Sequence, residues 1–537
     1  MSRVCVTSTR FHLCTAVILA GFALLGARLY FLQVLEADEI AAQGQSVRKR
    51  VMELEPRRGD ILDRNGNLLA GTRTKVVLGL DPQVVDPTER EKLALLAGIL
   101  DMPFPELRAK AERSFRVDDA GQRRPVAWVP LAEIGEDLYK RVREVGLDGV
   151  YGYRRYERHY PGREMAAHLI GYLNKEQTPV MGVERALDFY LQGQSGWMET
   201  EVDGHRRELA AFRDRRVDAR DGLHVQLTID LYVQSTIERI LRELVEESRP
   251  AGASIIVSDP KTGDILGLAN YPTFDPNHFW DFPLQNQRNR ALSDQYEPGS
   301  TFKIVPVAAA LEEGLVEPGT LIDCATERVV FNGVTIPMPR DHRDLGVVPV
   351  HKVVMKSSNR GAARIGMLLG EERLYDYAAR FGFGMAPEWP LEGEADGSLM
   401  AVADWDGYTI SRLPTGYAVG ATPMQVHLAM ATLANDGVRA QPRLLRQVLD
   451  PENAPLIRFQ PESRERVLST ETARLMKQML VRVVSPEGTA RRAGIPGYMV
   501  AGKTGTAGKI IDGQYSARNH VASFSGFFPA PDPELVI

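Results

Sequence analysis

Ser300 and Lys303 have the residue types and the spacing of a nucleophile and its base. They follow Pro298-Gly299 and lead into an apolar run, Ile304–Leu311. On a helix, a spacing of three places both side chains on one face, with Cβ atoms about 5–6 Å apart. A serine hydroxyl needs a neighbouring base, and a partly buried lysine can be shifted towards the neutral amine. The pair alone is weak, because Ser300 is also a favoured helix N-cap.

Two further clusters have polar side chains that could complete such a site. Ser357-Ser358-Asn359 opens a second apolar helix, and Lys503-Thr504-Gly505-Thr506 follows a predicted strand. Each cluster also has a purely structural explanation, since Ser358 or Asn359 can cap a helix and Lys503 can be a solvated charge.

A second lysine triplet, Lys261-Thr262-Gly263, falls in a predicted hairpin turn upstream of Ser300, where turn chemistry explains it. Only the later triplet gives the order serine-lysine pair, Ser-x-Asn, Lys-Thr-Gly. That order is the signature of penicillin-binding proteins and class A β-lactamases.

From Arg57 to its end, the chain resembles class B penicillin-binding proteins, and within them the septal peptidoglycan D,D-transpeptidases of the FtsI family. The matching motifs are Arg57-Arg-Gly-Asp-Ile-Leu-Asp-Arg-Asn-Gly66, His159-Tyr-Pro-Gly-Arg-Glu-Met-Ala-Ala-His168, Tyr296-Glu-Pro-Gly-Ser-Thr-Phe-Lys303, Lys356-Ser-Ser-Asn359 and Ala501-Gly-Lys-Thr-Gly-Thr506. The first two resemble the non-catalytic pedestal of class B proteins. No segment resembles the glycosyltransferase domain of class A members.

The resemblance implies an α/β (α+β) fold, in which an antiparallel sheet flanked by helices forms the transpeptidase domain. We expect a cytoplasmic tail at residues 1–10, a transmembrane anchor at 11–35, a dimerisation-type pedestal at 48–218 and the transpeptidase domain at 222–537. The end of the chain resembles the family's fourth core strand and the first residues of a fifth, which lies between the first and the fourth. We therefore expect the domain to be incomplete at its C-terminus.

The resemblance also implies the catalytic residues. Ser300 is the expected nucleophile, Lys303 the acylation base and Ser357 the group that passes a proton to the leaving amine. Backbone N–H groups of Ser300 and Thr506 are suited to form an oxyanion hole.

The substrate-binding residues implied by the resemblance lie in the second and third motifs. Asn359 is expected to hold the amide of the donor peptide. A cation and hydroxyls along a strand make charge-assisted hydrogen bonds to a carboxylate. The terminal carboxylate is therefore assigned to Lys503, Thr504, Gly505 and Thr506.

Composition and histidine spacing exclude other classes of function. Apolar residues make up 44% of the chain, charged residues 25%, and the net charge is −5, as in ordinary globular proteins. Basic pairs such as Arg206/Arg207 are scattered among acids, so we expect no nucleic acid. The histidines lack ligand spacing and no phosphate-cradling loop is present, so we expect no metal and no cofactor.

The N-terminal segment has the length of a membrane span. Phe11–Ala27 carries no formal charge, and after Arg28 the apolar pattern resumes through Leu35. Arg3 and Arg10 precede the segment, so this flank is expected in the cytoplasm and the rest of the chain outside. A cleaved signal peptide is the alternative. Cys5 precedes the segment and Cys14 lies within it, which leaves Cys324 without a partner in the exported part.

Periodicity predicts the elements that must position these residues. We predict strands at Leu223–Ile229, Tyr498–Gly502 and Val521–Phe527, a hairpin of Ser254–Ser258 with Asp264–Leu268, and helices at Val233–Glu247, Phe302–Leu311, Ala362–Leu369 and Met424–Asn435. Pro306 lies in the helix after Lys303, so a kink is expected near the nucleophile.

The resemblance implies cross-linking of stem peptides that end in D-Ala-D-Ala, covalent binding of β-lactams, attachment to the bacterial inner membrane, and work at the septum. A glycosyltransferase of the FtsW type and other division proteins are the expected partners. Two alternatives stay open, namely a β-lactam sensor or division scaffold without turnover, and a β-lactamase.

Overall fold

The computed structural model describes residues 8–36, 49–117, 121–126, 128–202, 208–209, 215–511 and 514–537. Residues 1–7 of the expected tail, with Cys5, and the Arg206/Arg207 pair lie outside this set. The chain divides into two compact units, each built from separate stretches of sequence. The first contains Met1–Arg57, Thr74–Arg155 and Gly193–Asp221, and the second contains Arg58–Arg73, Tyr156–Gln192 and Gly222–Ile537.

An apolar helix opens the first unit. Ser8–Tyr30 is α-helical, and Phe31–Leu35 continues it as a π-helical turn. The segment Phe11–Leu35 is 25 residues long and, in the described part of the chain, is the one helix long and apolar enough to cross a membrane. The predicted span therefore forms a continuous helical segment.

The rest of the first unit is a mixed α/β structure. One sheet contains Lys49–Leu54, Gly196–Val202, Glu208–Leu209 and Arg215–Val217, paired antiparallel. The first-unit part of Leu68–Leu80 pairs antiparallel with Val129–Gly135, and Phe115–Val117 forms a hairpin with Arg123–Pro125. Helices span Arg90–Ile99, Phe104–Ala111 and Glu136–Glu144. Alternate residues Val76, Leu78 and Leu80 point into an apolar core with the helix residues Leu93 and Leu96.

The second unit is organised by a five-stranded antiparallel sheet. Its strand order is Ile265–Tyr271, Ala253–Ser258, Leu535–Val536, Gln514–Phe528 and Ala501–Ile511. Leu535–Val536 thus lies between the first and the fourth strands of the sheet in chain order, where the resemblance placed the fifth. A second sheet joins Pro455–Arg458, Leu445–Leu449, His224–Leu227, Ile61–Leu62 and the second-unit part of Leu68–Leu80.

Helices surround the five-stranded sheet. The longer ones are Leu231–Ser248, Ile304–Glu312, Val350–Lys356, Asn359–Leu369, Glu371–Arg380, Pro423–Ala434 and Thr470–Val484. Small two-stranded sheets pair Tyr172–Leu173 with Pro179–Met181, Leu321–Asp323 with Val347–Pro349, Arg328–Phe331 with Val334–Pro337, Ser398–Leu399 with Val419–Gly420, and Val438–Ala440 with Ser463–Arg466. The predicted hairpin and the predicted helices are all present, with ends shifted by a few residues. The helix Ile304–Glu312 is almost completely enclosed, because Ile304 to Leu311 are all buried.

The two N-terminal sequence motifs meet inside the second unit at Glu184, whose side chain is fully buried. Arg58 of the first motif lies 2.8 Å from this carboxylate, and Arg158, which precedes the second motif, lies 2.6 Å from it. Tyr160 donates to the same carboxylate at 3.3 Å. A buried carboxylate is stable only when it is paired and hydrogen-bonded, so these motifs have a structural role in this unit.

The predicted strand Tyr498–Gly502 was displaced. The strand in the structure is Ala501–Ile511, and it contains the Lys503 triplet instead of ending before it. Tyr498 and Met499 are exposed, whereas Lys503 and Gly505 are buried. Periodicity did not predict this strand because two of its buried positions, Lys503 and Gly505, are not large apolar residues and interrupt the apolar pattern.

Candidate active site

The candidate nucleophile lies on a tight turn that leads into the buried helix Ile304–Glu312. Gly299–Lys303 is a 3-10 helix, in which residues three apart are eclipsed, so Ser300 and Lys303 share one side of the turn. The α-helix begins only at Ile304, which makes Pro306 its third residue. Pro306 has no N–H to donate, and the hydrogen-bonding pattern changes from 3-10 to α-helical at Ile304, two residues before it.

Glycines let other segments approach this turn closely. The Gly299 N–H donates to the Gly416 carbonyl oxygen at 3.1 Å, and both glycines have positive φ, +56° and +81°. A Cβ atom on Gly416 would lie 2.0 Å from the Gly299 oxygen. The backbone before Ser300 is therefore held by contacts that only glycine permits.

The Lys303 amine is buried and fully engaged by the second motif. It donates to the Ser357 carbonyl oxygen at 2.6 Å, to Asn359 Oδ1 at 2.6 Å and to Ser357 Oγ at 3.3 Å. The side chain is only 2% exposed. The first and second motifs, which are more than fifty residues apart, therefore meet at one amine.

The second motif connects two helices. Ser357 ends Val350–Lys356 in the left-handed conformation, with φ of 57°, and its hydroxyl lies beside the Lys303 and Lys503 amines. Ser358 is the N-cap of Asn359–Leu369 and accepts from the Gly361 N–H at 2.9 Å. The structural explanation thus holds for Ser358, whereas Ser357 and Asn359 face Lys303.

The third motif brings a second buried amine to the same hydroxyl. Lys503 Nζ donates to Ser357 Oγ at 2.9 Å and to the Thr504 carbonyl oxygen at 3.0 Å. Its side chain has no exposed surface. Ser357 Oγ therefore links the two lysines, and the three motifs form one cluster.

Burial sets the charge of both lysines. Desolvation lowers the pKa of Lys303 well below its usual range, and the nearby charge of Lys503 lowers it further, while the carboxylate of Asp341 opposes both effects. Desolvation also lowers the pKa of Lys503, to about 7. Each amine is therefore much closer to the neutral form than a surface lysine at neutral pH.

The remaining residues of the third motif line the strand Ala501–Ile511. Thr506 is exposed and Thr504 is half-buried, with Thr504 Oγ1 3.1 Å from Thr489 Oγ1. Gly505 permits close contact, because a Cβ atom there would lie 3.0 Å from both Pro298 O and Thr301 Cγ2. The strand consequently packs directly against the turn that carries Ser300.

Two acidic residues near this cluster make hydrogen bonds that the sequence did not predict. Asp341 accepts hydrogen bonds from the Ser358 hydroxyl and from the Asn359 N–H. Glu297 accepts from the Ala418 N–H at 3.0 Å and from the Tyr515 hydroxyl at 3.2 Å. Glu297 lies within the motif that begins at Tyr296, and Asp341 lies in a loop outside the motifs. Neither has a spacing that indicates its hydrogen-bond partners.

The other lysine triplet, Lys261-Thr262-Gly263, lies outside this cluster. Lys261 is in the turn between Ala253–Ser258 and Ile265–Tyr271 and forms an exposed ion pair of 2.7 Å with Asp532. The described residues contain no group of three or more His, Cys, Asp or Glu side chains arranged to hold a metal ion.

Comparison with models of protein families identifies the family to which the chain belongs. Residues 253–537, more than half of it, match the penicillin-binding protein transpeptidase domain, and residues 53–227 match the penicillin-binding protein dimerisation domain. The chain belongs to the penicillin-binding protein transpeptidase family.

Curated relatives of this penicillin-binding protein match over nearly its whole length. Stage V sporulation protein D of Bacillus subtilis (strain 168) is 31% identical over 96% of this chain and 79% of the relative. Peptidoglycan D,D-transpeptidase FtsI of Escherichia coli (strain K12) is 29% identical over 99% of this chain and 86% of the relative.

Solved structures agree with this family membership. Penicillin-binding protein 3 of Mycobacterium tuberculosis, complexed with aztreonam, has a TM-score of 0.67 at 27% identity, covering 90% of this chain and 89% of that one. Penicillin-binding protein 2X of Streptococcus thermophilus has a TM-score of 0.77 at 22% identity, covering 91% of this chain and 76% of that one, and supports the fold alone.

Proposed function

We propose that the chain is a peptidoglycan D,D-transpeptidase that cross-links stem peptides ending in D-Ala-D-Ala through a serine acyl-enzyme. The position of Ser357 Oγ carries the proposal. It lies 3.3 Å from the Lys303 amine and 2.9 Å from the Lys503 amine. One hydroxyl thus joins the base beside the nucleophile to the cation proposed for the substrate carboxylate, which is the geometry that a proton relay needs.

In the first step, Ser300 Oγ attacks the carbonyl carbon of the penultimate D-Ala. Lys303 takes the hydroxyl proton, and desolvation favours the neutral amine that this role requires by lowering its pKa. The C–O bond of the ester forms and the peptide C–N bond breaks. The proton passes through Ser357 to the departing amine, and the terminal D-Ala leaves.

The other residues of the cluster hold the donor peptide. Asn359 binds the amide of the donor. Lys503, Thr504 and Thr506 bind its terminal carboxylate along the strand, because a buried cation beside hydroxyls makes charge-assisted bonds to an anion. Backbone N–H groups of Ser300 and Thr506 stabilise the developing oxyanion.

In the second step, an amine from a neighbouring stem peptide attacks the ester carbonyl. A new amide bond forms, the ester bond breaks and Ser300 regains its proton. A β-lactam enters the same site as a mimic of D-Ala-D-Ala. It stays attached because water is a poorly supported acceptor.

Labelling with a fluorescent penicillin tests the proposal. We expect Ser300→Ala to abolish labelling and cross-linking of a D-Ala-D-Ala donor to an amine acceptor. Ser235→Ala is the matched control, because its hydroxyl bonds only within its own helix, to Tyr232 O at 3.0 Å. Labelling that survives Ser300→Ala would remove Ser300 from the mechanism. Mass spectrometry separates the alternatives, since lasting acylation without cross-linking indicates a sensor and rapid release indicates a β-lactamase.

We also infer where the enzyme works. The helical segment Phe11–Leu35 anchors it in the inner membrane with the catalytic unit outside, and the protein acts at the septum beside a glycosyltransferase of the FtsW type. The similarity to FtsI and the length of the apolar helix support this inference. A fluorescent fusion should concentrate at midcell, and an even distribution along the side wall would contradict the septal assignment.

A further inference from the structure

Asp341 uses both carboxylate oxygens on the second motif. It lies in the loop between Val334–Pro337 and Val347–Pro349. Oδ2 accepts from the Ser358 hydroxyl at 2.5 Å, and Oδ1 accepts the N–H of Asn359 and, at 3.3 Å, that of Arg360. These donors belong to the N-cap and first turn of Asn359–Leu369, where the helix dipole also favours a negative charge. One carboxylate therefore fixes the start of the helix that presents Asn359.

The neighbouring residue fixes the side chain of Asn359. The Asn359 Nδ2 group donates to the Arg340 carbonyl oxygen at 2.6 Å, while Oδ1 accepts from the Lys303 amine at 2.6 Å. An amide turned the other way would place its NH₂ group against the lysine and its oxygen against a carbonyl. The Arg340-Asp341 segment thus holds the backbone of Asn359 through a carboxylate and the orientation of its amide through a carbonyl.

We propose that Asp341 is a positioning residue of the active site, which holds Asn359 in the orientation that engages Lys303. This inference rests on the proposed function, since it assigns a task within the same cluster. In this assignment, Asp341 makes no contact with the substrate. It acts through Asn359 and through its charge.

The charge of Asp341 affects the pKa of Lys303, an effect that a purely structural role would not have. The charged groups that face Lys303 are Lys503 on the strand Ala501–Ile511 and Asp341 on the loop, and the uncharged Ser357 and Asn359 face it from the two helices. Burial and the charge of Lys503 lower the pKa of Lys303, whereas the carboxylate of Asp341 raises it. Removing its charge lowers that pKa further, so the base becomes available at lower pH.

Two substitutions separate position from charge. Asp341→Asn keeps an oxygen for the N–H donors and an NH₂ group for Ser358, but it removes the charge. Asp341→Ala removes both the hydrogen-bonding groups and the charge. The matched control is Asp344→Asn in the same loop, because Asp344 is exposed and accepts only from the Gly346 N–H, at 3.0 Å.

The experiment measures the acylation rate of the full chain with penicillin between about pH 5 and pH 9, a range wide enough to show the acidic limb of a general-base reaction. We expect Asp341→Asn to stay within about threefold of the unchanged protein on the plateau, because its oxygen still accepts the N–H groups and its NH₂ group donates to Ser358 Oγ in place of the bond that Ser358 donates to Asp341. The acidic limb should shift to lower pH. Asp341→Ala should lose about 10- to 100-fold, as expected for a hydrogen bond to a charged group. Asp344→Asn should change neither the acylation rate on the plateau nor the pH of the acidic limb.

The outcomes are distinguishable. If Asp341→Asn gives a profile that superimposes on that of the unchanged protein, or if Asp341→Ala acylates at the full rate, Asp341 is not a positioning residue. A uniform loss of rate and melting temperature in Asp341→Asn, with the limb unmoved, would show a structural role only and would also overturn the inference. If the unchanged protein does not react with penicillin at all, the proposed function fails instead.

Discussion

Lys503 Nζ lies 2.9 Å from Ser357 Oγ, although the two residues are 146 positions apart in the chain. The contact places a fully buried cation at the point where the second and third motifs meet. A buried amine without a buried carboxylate partner is costly to charge, so its position serves binding more than stability.

The first prediction concerns recognition of a carboxylate. Lys503→Met should slow acylation by penicillin about 10- to 100-fold, because one charge-assisted hydrogen bond to the ligand carboxylate is lost. Stopped-flow labelling measures the rate. With a penicillin methyl ester the difference between the unchanged protein and the variant should be much smaller, since the ester presents no anion and only the effect of Lys503 on Lys303 and Ser357 remains.

Lys261→Met is the matched control for that variant, because Lys261 begins the same Lys-Thr-Gly triplet in an exposed turn. It should label at the normal rate with both compounds. Equal losses in the two lysine variants would show that the wrong triplet was assigned.

The second prediction is that the same substitution stabilises the fold. The pKa of Lys503 is lowered from its usual value to about 7, so the unfolded chain binds more protons than the folded chain between pH 7 and the normal lysine range. The destabilising contribution of Lys503 is therefore full below pH 7 and disappears as pH rises through that window. Lys503→Met should gain about 1–4 kcal/mol of unfolding free energy near neutral pH, as when buried charged groups are replaced by apolar ones.

Thermal melting at several pH values checks this gain. The advantage of Lys503→Met should shrink as pH rises from neutral towards the normal pKa of lysine. An advantage that is constant with pH would mean that packing, and not ionisation, causes the difference.

The third prediction concerns the base. Lys303→Ala should slow acylation by about 10²- to 10⁴-fold, the usual value of general-base assistance. Because the substitution also empties a buried space, melting must be measured beside the rate. Lys303→Met fills the space without a base and should be equally slow. A normal rate in the methionine variant would show that another group takes the proton from Ser300.

Spacing and order predicted the cluster, but they could not predict how it is held. The three-residue interval between Ser300 and Lys303 is local, so it is visible in the sequence. The burial of Lys503 depends on strand pairing across the sheet, and periodicity misplaced that strand because a buried lysine interrupts the apolar pattern. Asp341 lies in a loop outside the motifs, and its contact with Asn359 exists only once the chain is folded.

Pro306 is a second case in which the sequence did not predict the local hydrogen-bonding pattern. A proline inside a helical pattern predicts a disturbed helix, and the structure changes from a 3-10 helix to an α-helix at Ile304, two residues before Pro306. Composition indicates a helix in this region, but it does not indicate where the hydrogen-bonding pattern changes.

The last prediction concerns the close packing of the strand on the nucleophile turn. A Cβ atom on Gly505 would lie 2.3 Å from Ser523 Oγ and 3.0 Å from both Pro298 O and Thr301 Cγ2. Ser523 lies opposite Gly505 on the paired strand and its hydroxyl can rotate, whereas the Pro298 oxygen is backbone. Gly505→Ala should therefore push the strand away from Ser300. It should lower the unfolding free energy by about 1–3 kcal/mol, as overpacking does. It should also slow acylation by up to about 100-fold, since a displacement of about 1 Å near reacting groups has effects of that size.

A second substitution shows which contact matters. Ser523→Ala in the Gly505→Ala background removes the 2.3 Å contact but leaves the two contacts with the turn, so stability should recover in part while acylation stays slow. Gly319→Ala is the control, because a Cβ atom there meets nothing within 4 Å. If the double variant regains the full acylation rate, the clash with Ser523 alone explains the loss, and the strand does not need to pack against the turn for the reaction.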